Sequence, residues 1–297
     1  MSANDLLTYY TEPGPLSAAG PHETALKAVP GDVPGLLAAV QGVLVHQELA
    51  HVYGFAMPEA RRETAHFRAT EAILGRILDE DPRSLAEARE PAHKIACTCR
   101  TFSLIAVSAL RAHGIPARAR CGFGNYFEPG WHIDHWVAEY WDAERGAWIL
   151  GDAQMDPILV EALKLEFDPA DVPRDRFVVA GQAWTAYRTG ELDPDKCGLT
   201  VPGEQGAWWI AANLVRDVAA LAKMELLPWD VWGGIPEPED EIDEVLTALF
   251  DELAAITADP DTAAEARTRY ETDERIRVPA QVRNAVRKST EPVIGVD

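Results

Sequence analysis

The sequence contains few basic residues and no long apolar run. Its 297 residues include 27 Lys and Arg against 48 Asp and Glu, which gives a formal net charge of −21. Contacts to nucleic-acid phosphates need clusters of Lys and Arg, so this composition argues against a general nucleic-acid-binding protein. No stretch approaches the roughly 20 apolar residues that a membrane-spanning helix needs. We therefore expect neither a nucleic-acid partner nor insertion into a membrane.

Cysteine is also scarce, and the residues after Met1 lack the features of a secretory signal. The four cysteines have no framework spacing, which in a chain of this length favours reduced thiols over a disulfide scaffold. Neither a basic n-region nor an apolar h-region follows Met1. Together these two absences predict a cytoplasmic protein.

The rest of the composition is ordinary for a globular protein with a sizeable core, with 47% apolar residues. Apolar residues recur at helical spacing in five stretches, which we predict to be helices: 33–52, 58–81, 208–227, 241–256 and 262–271. Residues 1–30 are rich in Pro and Gly and predict an irregular arm, which Tyr9 and Tyr10 pin to the body of the protein. Residues 177–188 fit either a strand or a helix, and residues 189–204 predict a loop.

The stretch from 97 to 153 combines residue types that suit catalysis. Apolar spacing predicts a helix that begins at Cys99 and ends before Gly114, which suits the left-handed position after a helix, while Pro116 cannot continue one. A cysteine in the first turn lies at the positive end of the helix, which lowers the pKa of its thiol. The amides of that turn can also bind a developing oxyanion.

A strand and a hairpin follow this helix. Residues 117–121 alternate small and long side chains, and residues 134–141 and 147–150 flank a polar turn. His135 begins one arm of the hairpin and Asp152 ends the other, so antiparallel pairing is expected to bring them together. A thiol, an imidazole and a carboxylate on three converging elements are the groups that nucleophilic catalysis needs.

These residues resemble the core of the transglutaminase-like superfamily, whose members share a papain-like Cys-His-Asp site. Residues 110–118, LRAHGIPAR, match the family pattern L-R-A-x-G-I-P-A-R throughout. The family's glycine-aromatic step and its His, Glu, Trp and Asp then follow in order, as Gly122-Phe123, His135, Glu139, Trp148 and Asp152. The family cysteine stands one helix length before the L-R-A, which selects Cys99 over Cys97. One departure is that Trp136 directly follows His135, whereas the family tryptophan sits two residues after the histidine.

The resemblance implies Cys99 as nucleophile, His135 as base and Asp152 as the group that orients the base. It also implies an α+β fold, in which a nucleophile helix packs on a small antiparallel sheet as in a papain-like transglutaminase core, with helical additions at both ends. We predict a helical layer at 1–88, the catalytic core at 89–160 and a mostly helical region at 161–297.

The predicted reaction is attack of the Cys99 thiolate on an amide or thioester carbonyl of a small molecule or peptide, through an acyl-enzyme. Water as acceptor gives an amide hydrolase, our first choice, and an amine gives an acyltransferase. Two other hypotheses stay open: a catalytically silent binding module on the same fold, and a thiol redox protein that uses Cys97 with Cys99. We expect Trp131, His132 and Trp136 to contact the substrate, with His132 on a loop at the mouth of the site.

Neither a metal nor an organic cofactor is expected. The spacing of the His and Cys residues around the predicted nucleophile matches no structural zinc pattern: His93, Cys97, Cys99 and His113. The Gly122-x-Gly124 step lacks the third glycine of a dinucleotide-binding loop. The sequence does not determine an oligomeric state.

Overall fold

A computed structural model describes residues 3–294 of the chain. The chain divides into two compact units, one of residues 1–119 and 137–172 and the other of residues 120–136 and 173–297. The three consecutive regions expected from the sequence stay a prediction. Within the described residues, no helix has the length and apolar character that crossing a membrane requires.

The first unit contains six α-helices, α1 to α6, within its described residues: Ala3–Thr11, Glu23–Lys27, Val33–Val43, Thr70–Glu80, Cys99–Ala112 and Pro157–Leu163. Short 3-10 helices lie at Gly20–His22, Ala50–Tyr53, Glu59–His66 and Pro91–His93. The irregular arm predicted for residues 1–30 is therefore wrong where α1 and α2 form. Tyr10 does fix this segment, because its ring is fully buried and lies 5.7 Å from that of Trp148.

Two predicted helices of this unit are shorter than the apolar spacing suggests. α3 ends at Val43, because strand β1, Leu44–His46, is extended and pairs in parallel with β2, Ile95–Cys97. The single helix predicted over 58–81 is wrong, since a 3-10 helix and α4 are separated at Ala69, whose backbone is extended (φ −95°, ψ 141°). The side chain of Thr70 then bonds to Ser108 of α5 at 2.8 Å.

The main sheet has five strands, β3 to β7: Ala117–Gly124, His132–Asp142, Ala147–Gly151, Phe177–Val179 and Cys197–Gly198. Four of them follow the order β5-β4-β3-β6, and the short β7 pairs in parallel with β4. β4 and β5 form the predicted hairpin, whose ladder runs from Asp142–Ala147 to Ala138–Gly151. Helices and a largely antiparallel sheet confirm the α+β class.

The described part of the second unit contains four α-helices, α7 to α10: Ala180–Thr189, Ala207–Leu221, Glu244–Thr257 and Ala263–Thr272. The stretch at 177–188 that fits strand or helix contains both, since β6 leads directly into α7. The loop predicted for 189–204 is wrong in part, because it includes a 3-10 helix at Pro194–Lys196 and strand β7. The other helix predictions are confirmed, although α8 ends at Leu221 rather than 227.

Three further strands close the second unit. β8, Asp230–Val231, pairs with β9, Gln281–Asn284, which pairs with β10, Ser289–Pro292, all antiparallel. The Trp184 ring, in the core of this unit, lies 5.2 Å from that of Phe250 and donates its indole N–H to Asp251. Trp184 thereby joins α7 to α9.

Candidate active site

Cys99 is the first residue of α5, as the sequence predicts. Strand β2 leads to Cys99 through Thr98, whose backbone is extended (φ −116°, ψ 171°). The carbonyl of Thr98 accepts the first helical bonds, from the amides of Thr101 at 3.0 Å and Phe102 at 3.4 Å. The side chain of Cys99 is therefore at the positive end of a 14-residue helix, and it is 7% exposed. The unpaired amides of the first turn favour negative charge at this position.

His135 lies in β4, and its ring is enclosed by aromatic side chains of the second unit. The centroid of the Phe127 ring is 4.7 Å from that of His135, with the rings at 66°, while Tyr126 and Phe177 lie 6.0 and 6.3 Å away. His135 itself is 1% exposed. Edge-on contacts at such distances favour this orientation of the imidazole.

A glycine permits this aromatic enclosure. A Cβ on Gly124, the last residue of β3, would lie 2.7 Å from the Phe127 ring and 3.0 Å from the Tyr126 ring. Tyr126 and Phe127 stack on each other at 4.6 Å, and Asn125 fastens the loop by donating to the carbonyl of Asp175 at 2.7 Å. The sequence analysis did not identify Tyr126 and Phe127, although their position between Gly124 and the Pro129-Gly130 turn marks an aromatic loop.

Asp152 follows β5 directly and is fully buried. Its amide donates to the carbonyl of Pro169 at 2.7 Å, and its Oδ1 accepts the amide of Gln154 at 3.0 Å. The second of these bonds ties one carboxylate oxygen to the backbone. Cys99 and Asp152 belong to the first unit and His135 to the second, and the convergence of the three side chains stays a prediction.

The three predicted substrate-binding residues have different environments. His132 is the first residue of β4, paired with Cys197, so its assignment to a loop is wrong; burial lowers the pKa of its imidazole. Trp131 is half-buried beneath the ammonium of Lys196, 4.5 Å from the ring centroid. Trp136 is 1% exposed, and its indole N–H has no hydrogen-bond partner among residues 3–294. Contact of these three with a substrate stays a prediction.

Titratable groups in the first unit lie close to the residues that precede Cys99. Burial, and then the neighbouring Cys99, raises the pKa of the Cys97 thiol. The Tyr53 hydroxyl donates to Asp156 at 3.0 Å, and burial and then Asp156 raise the pKa of Tyr53. The Lys94 ammonium lies 5.7 Å from the Tyr53 ring centroid, and burial lowers its pKa. Cys97 is considered in the sequence analysis, whereas no sequence pattern marks Tyr53, Lys94 or Asp156.

A cleft of about 580 Å3 opens elsewhere in the second unit. Its wall combines Ile235, Pro236 and Leu246 with the acidic residues Asp240 and Glu241. It contains none of the predicted site residues. Across the described part of the chain, no three His, Cys, Asp or Glu side chains are grouped so as to hold a metal ion.

Comparison with known proteins identifies one segment. Residues 78–153 match the family model of the transglutaminase-like superfamily, which confirms the resemblance drawn from the sequence over this segment. The matched segment contains Cys99, His135 and Asp152. No curated protein matches the chain.

One solved structure, described as a "Putative Cysteine Protease from Cytophaga hutchinsonii", is similar over 60% of this chain at 14% sequence identity. The TM-score between the two structures is 0.35. The similar region is 46% of that structure, so this chain matches less than half of its length.

Proposed function

We propose that the protein is a cysteine-dependent amide hydrolase, in which Cys99 attacks the carbonyl of a small-molecule or peptide amide. His135 accepts the thiol proton and later protonates the leaving amine. Asp152 holds the imidazole in the required tautomer and stabilises its charged form. The thioester formed at Cys99 is then hydrolysed by water.

The observation that carries this proposal is the position of Cys99 as the first residue of α5, inside the segment that matches the superfamily. The fixed carboxylate of Asp152 and the enclosed ring of His135 support it, because both side chains have the restricted orientation that a base and its orienting group need. An amine in place of water would make the same thioester an acyltransferase intermediate.

A redox role for Cys97 with Cys99 is less favoured. Burial raises the pKa of the Cys97 thiol, and thiol–disulfide exchange proceeds through the thiolate.

The proposal is tested by iodoacetamide labelling across pH, with each cysteine followed by peptide mass spectrometry. We expect Cys99 to react at neutral pH faster than Cys97, Cys121 and Cys197, and His135→Ala to remove that preference. His93→Ala, which removes an exposed histidine, is the matched control and leaves the preference intact. Equal labelling of the four thiols in the native protein would refute the proposal.

A product analysis separates water from an amine as acceptor. Amide donors are incubated with the protein in the presence and absence of a primary amine, and the products are identified by mass spectrometry. The proposal expects the free acid in both cases, whereas a new amide that forms only with added amine would reassign the protein as an acyltransferase.

A further inference from the structure

The hydroxyl of Thr98, the residue before the proposed nucleophile, lacks a partner. Thr98 is 5% exposed, and within residues 3–294 its Oγ1 has no hydrogen-bond partner. Buried polar side chains without a partner are rare in native proteins, and each calls for an explanation. A ligand group that completes the hydrogen bond is one such explanation.

The position of Thr98 makes this finding unusual. Thr98 is the N-cap of α5, where a threonine side chain normally accepts the amide of the second or third helical residue. No such capping bond forms here. The backbone carbonyl of Thr98 still accepts the first helical bonds, so the hydroxyl is the group of Thr98 that lacks a hydrogen-bond partner among the described residues.

Other buried hydroxyls of α5 form hydrogen bonds to carbonyls of the same helix. Ser103 donates to the carbonyl of Cys99 at 3.2 Å, and Ser108 donates to that of Leu104 at 2.8 Å. Thr101 also has a buried hydroxyl without a partner in the described chain. The carbonyl four residues before it belongs to Cys97, which lies in strand β2 and accepts the amide of Gln47 at 2.9 Å. Thr101 is therefore the comparison residue for Thr98, because it has the same buried hydroxyl and lies in the same first turn.

We propose that the Thr98 hydroxyl is a catalytic hydrogen-bond donor to the oxyanion of the acylation step, an inference that rests on the proposed function. When the Cys99 sulfur bonds to the substrate carbonyl carbon, the carbonyl π electrons move to oxygen, and the oxyanion accepts hydrogen bonds from Thr98 Oγ–H and from the Cys99 amide. Collapse of this intermediate restores the carbonyl, breaks the bond to the leaving group and gives the thioester. Thr98 keeps its proton throughout.

Chain connectivity supports the required proximity. The Cα atoms of Thr98 and Cys99 are neighbours about 3.8 Å apart across a trans peptide bond. The hydroxyl is therefore attached one residue from the sulfur, at the end of the helix where its dipole favours negative charge. Because the Thr98 hydroxyl donates to no acceptor in the described part of the protein, no hydrogen bond has to break before it donates to the oxyanion.

The test compares acylation with alkylation of the same sulfur. p-Nitrophenyl acetate acylates a thiol through an oxyanion, whereas iodoacetamide alkylates it at a saturated carbon and develops no charge on a carbonyl oxygen. We expect Thr98→Val to slow acylation of Cys99 by about 10²-fold while the alkylation rate is unchanged. Thr98→Ser, which keeps a hydroxyl, restores most of the acylation rate.

Thr101→Val is the matched control, since it removes the other partnerless hydroxyl of the first turn and leaves both rates unchanged. Circular dichroism and urea unfolding check that each variant is folded, and Thr98→Ala provides a second variant without the hydroxyl. An unchanged acylation rate in Thr98→Val, or a loss shared equally by alkylation, overturns the inference. The proposed function, and the inference with it, would instead be refuted if Cys99 of the native protein is not acylated selectively. The same conclusion would follow if His135→Ala does not change the selectivity.

Discussion

The guanidinium of Arg118 donates to the carboxylate of Glu139 at 2.7 Å, and both side chains are fully buried. The same guanidinium stacks near two aromatic rings, with its carbon 3.9 Å from the Trp148 ring centroid and 5.1 Å from that of Tyr10. The pair joins β3, β4 and β5 to α1 within the first unit. Arg118 and Glu139 are also two of the positions that carry the resemblance to the superfamily, so a structural role accounts for both.

Glu139→Gln is expected to destabilise the protein by about 3–5 kcal/mol, because it leaves the Arg118 charge buried without its counter-charge. Urea unfolding followed by circular dichroism measures the loss. The control is Asp171→Asn, which breaks the exposed pair with Arg145 and should cost less than about 1 kcal/mol. Similar losses in the two variants would contradict the assigned role of the buried pair.

Lys94→Met is expected to stabilise the protein at neutral pH, by on the order of 1 kcal/mol. Burial lowers the pKa of Lys94 from its ordinary value of 10.5. Between the lowered folded value and 10.5 the unfolded state binds more protons than the folded state, so the free energy of unfolding rises with pH across that window. Below the window the full cost of the buried ammonium is present, and above 10.5 it is gone.

Urea unfolding at several pH values up to about 10.5 shows whether Lys94→Met removes this rise. Lys196→Met is the matched control, because Lys196 also lies over an aromatic ring, that of Trp131, but is exposed. A pH dependence that is the same in native protein and Lys94→Met would rule out Lys94 as its source.

The parts of the fold that the sequence predicted correctly depend on local signals. Gly114, two residues after the end of α5, has a left-handed backbone (φ 76°), and the polar turn between β4 and β5 fixes the hairpin there. Both features lie within a few residues of the elements they bound. The start of α5 at Cys99 is of the same kind, since it follows from apolar spacing and from the distance to Gly114.

The parts that could not be predicted depend on partners far along the chain. β1 reads as a continuation of α3, and only its pairing with β2, about fifty residues later, makes it extended. Arg120 binds Asp217 across 97 positions, at 3.0 and 2.9 Å, and no local pattern announces that pair. The β9–β10 hairpin was missed because its strands are mostly polar, with charged or hydrogen-bonding side chains where apolar alternation would signal a strand.

The candidate site divides in the same way. Cys99, His135 and Asp152 were selected from residue type, order and spacing. The burial of Thr98 without a partner and the ring of Phe127 against His135 depend on three-dimensional packing, which residue type and spacing do not encode.

Cys97 and Cys197 are expected to resist alkylation at neutral pH in the folded protein. Burial raises the pKa of Cys97 well above its ordinary value and that of Cys197 to about 12, so neither thiol has an appreciable thiolate fraction. Iodoacetamide labelling followed by peptide mass spectrometry should modify both only after unfolding in urea. Labelling of either in the native state at a rate matching its unfolded rate would show that burial does not protect it.

Phe127→Ala tests whether the aromatic enclosure of His135 supports the proposed chemistry. Under the proposed mechanism, loss of the ring 4.7 Å from the imidazole frees the base to leave its working orientation. We expect iodoacetamide labelling of Cys99 at neutral pH to slow by about tenfold. At strongly alkaline pH the labelling rate should be unchanged, because the thiol then ionises without a base. Phe127→Tyr keeps the ring and should keep the native pH profile.

Trp141→Ala is the matched control for Phe127→Ala. Trp141 is another half-buried aromatic residue, near the far end of β4, and its ring lies 5.6 Å from that of Trp148 at 69°. Its removal deletes a comparable ring contact in the first unit and should leave the pH profile of Cys99 labelling unchanged. A profile for Phe127→Ala that coincides with those of Trp141→Ala and the native protein would mean that the Phe127 ring does not position His135.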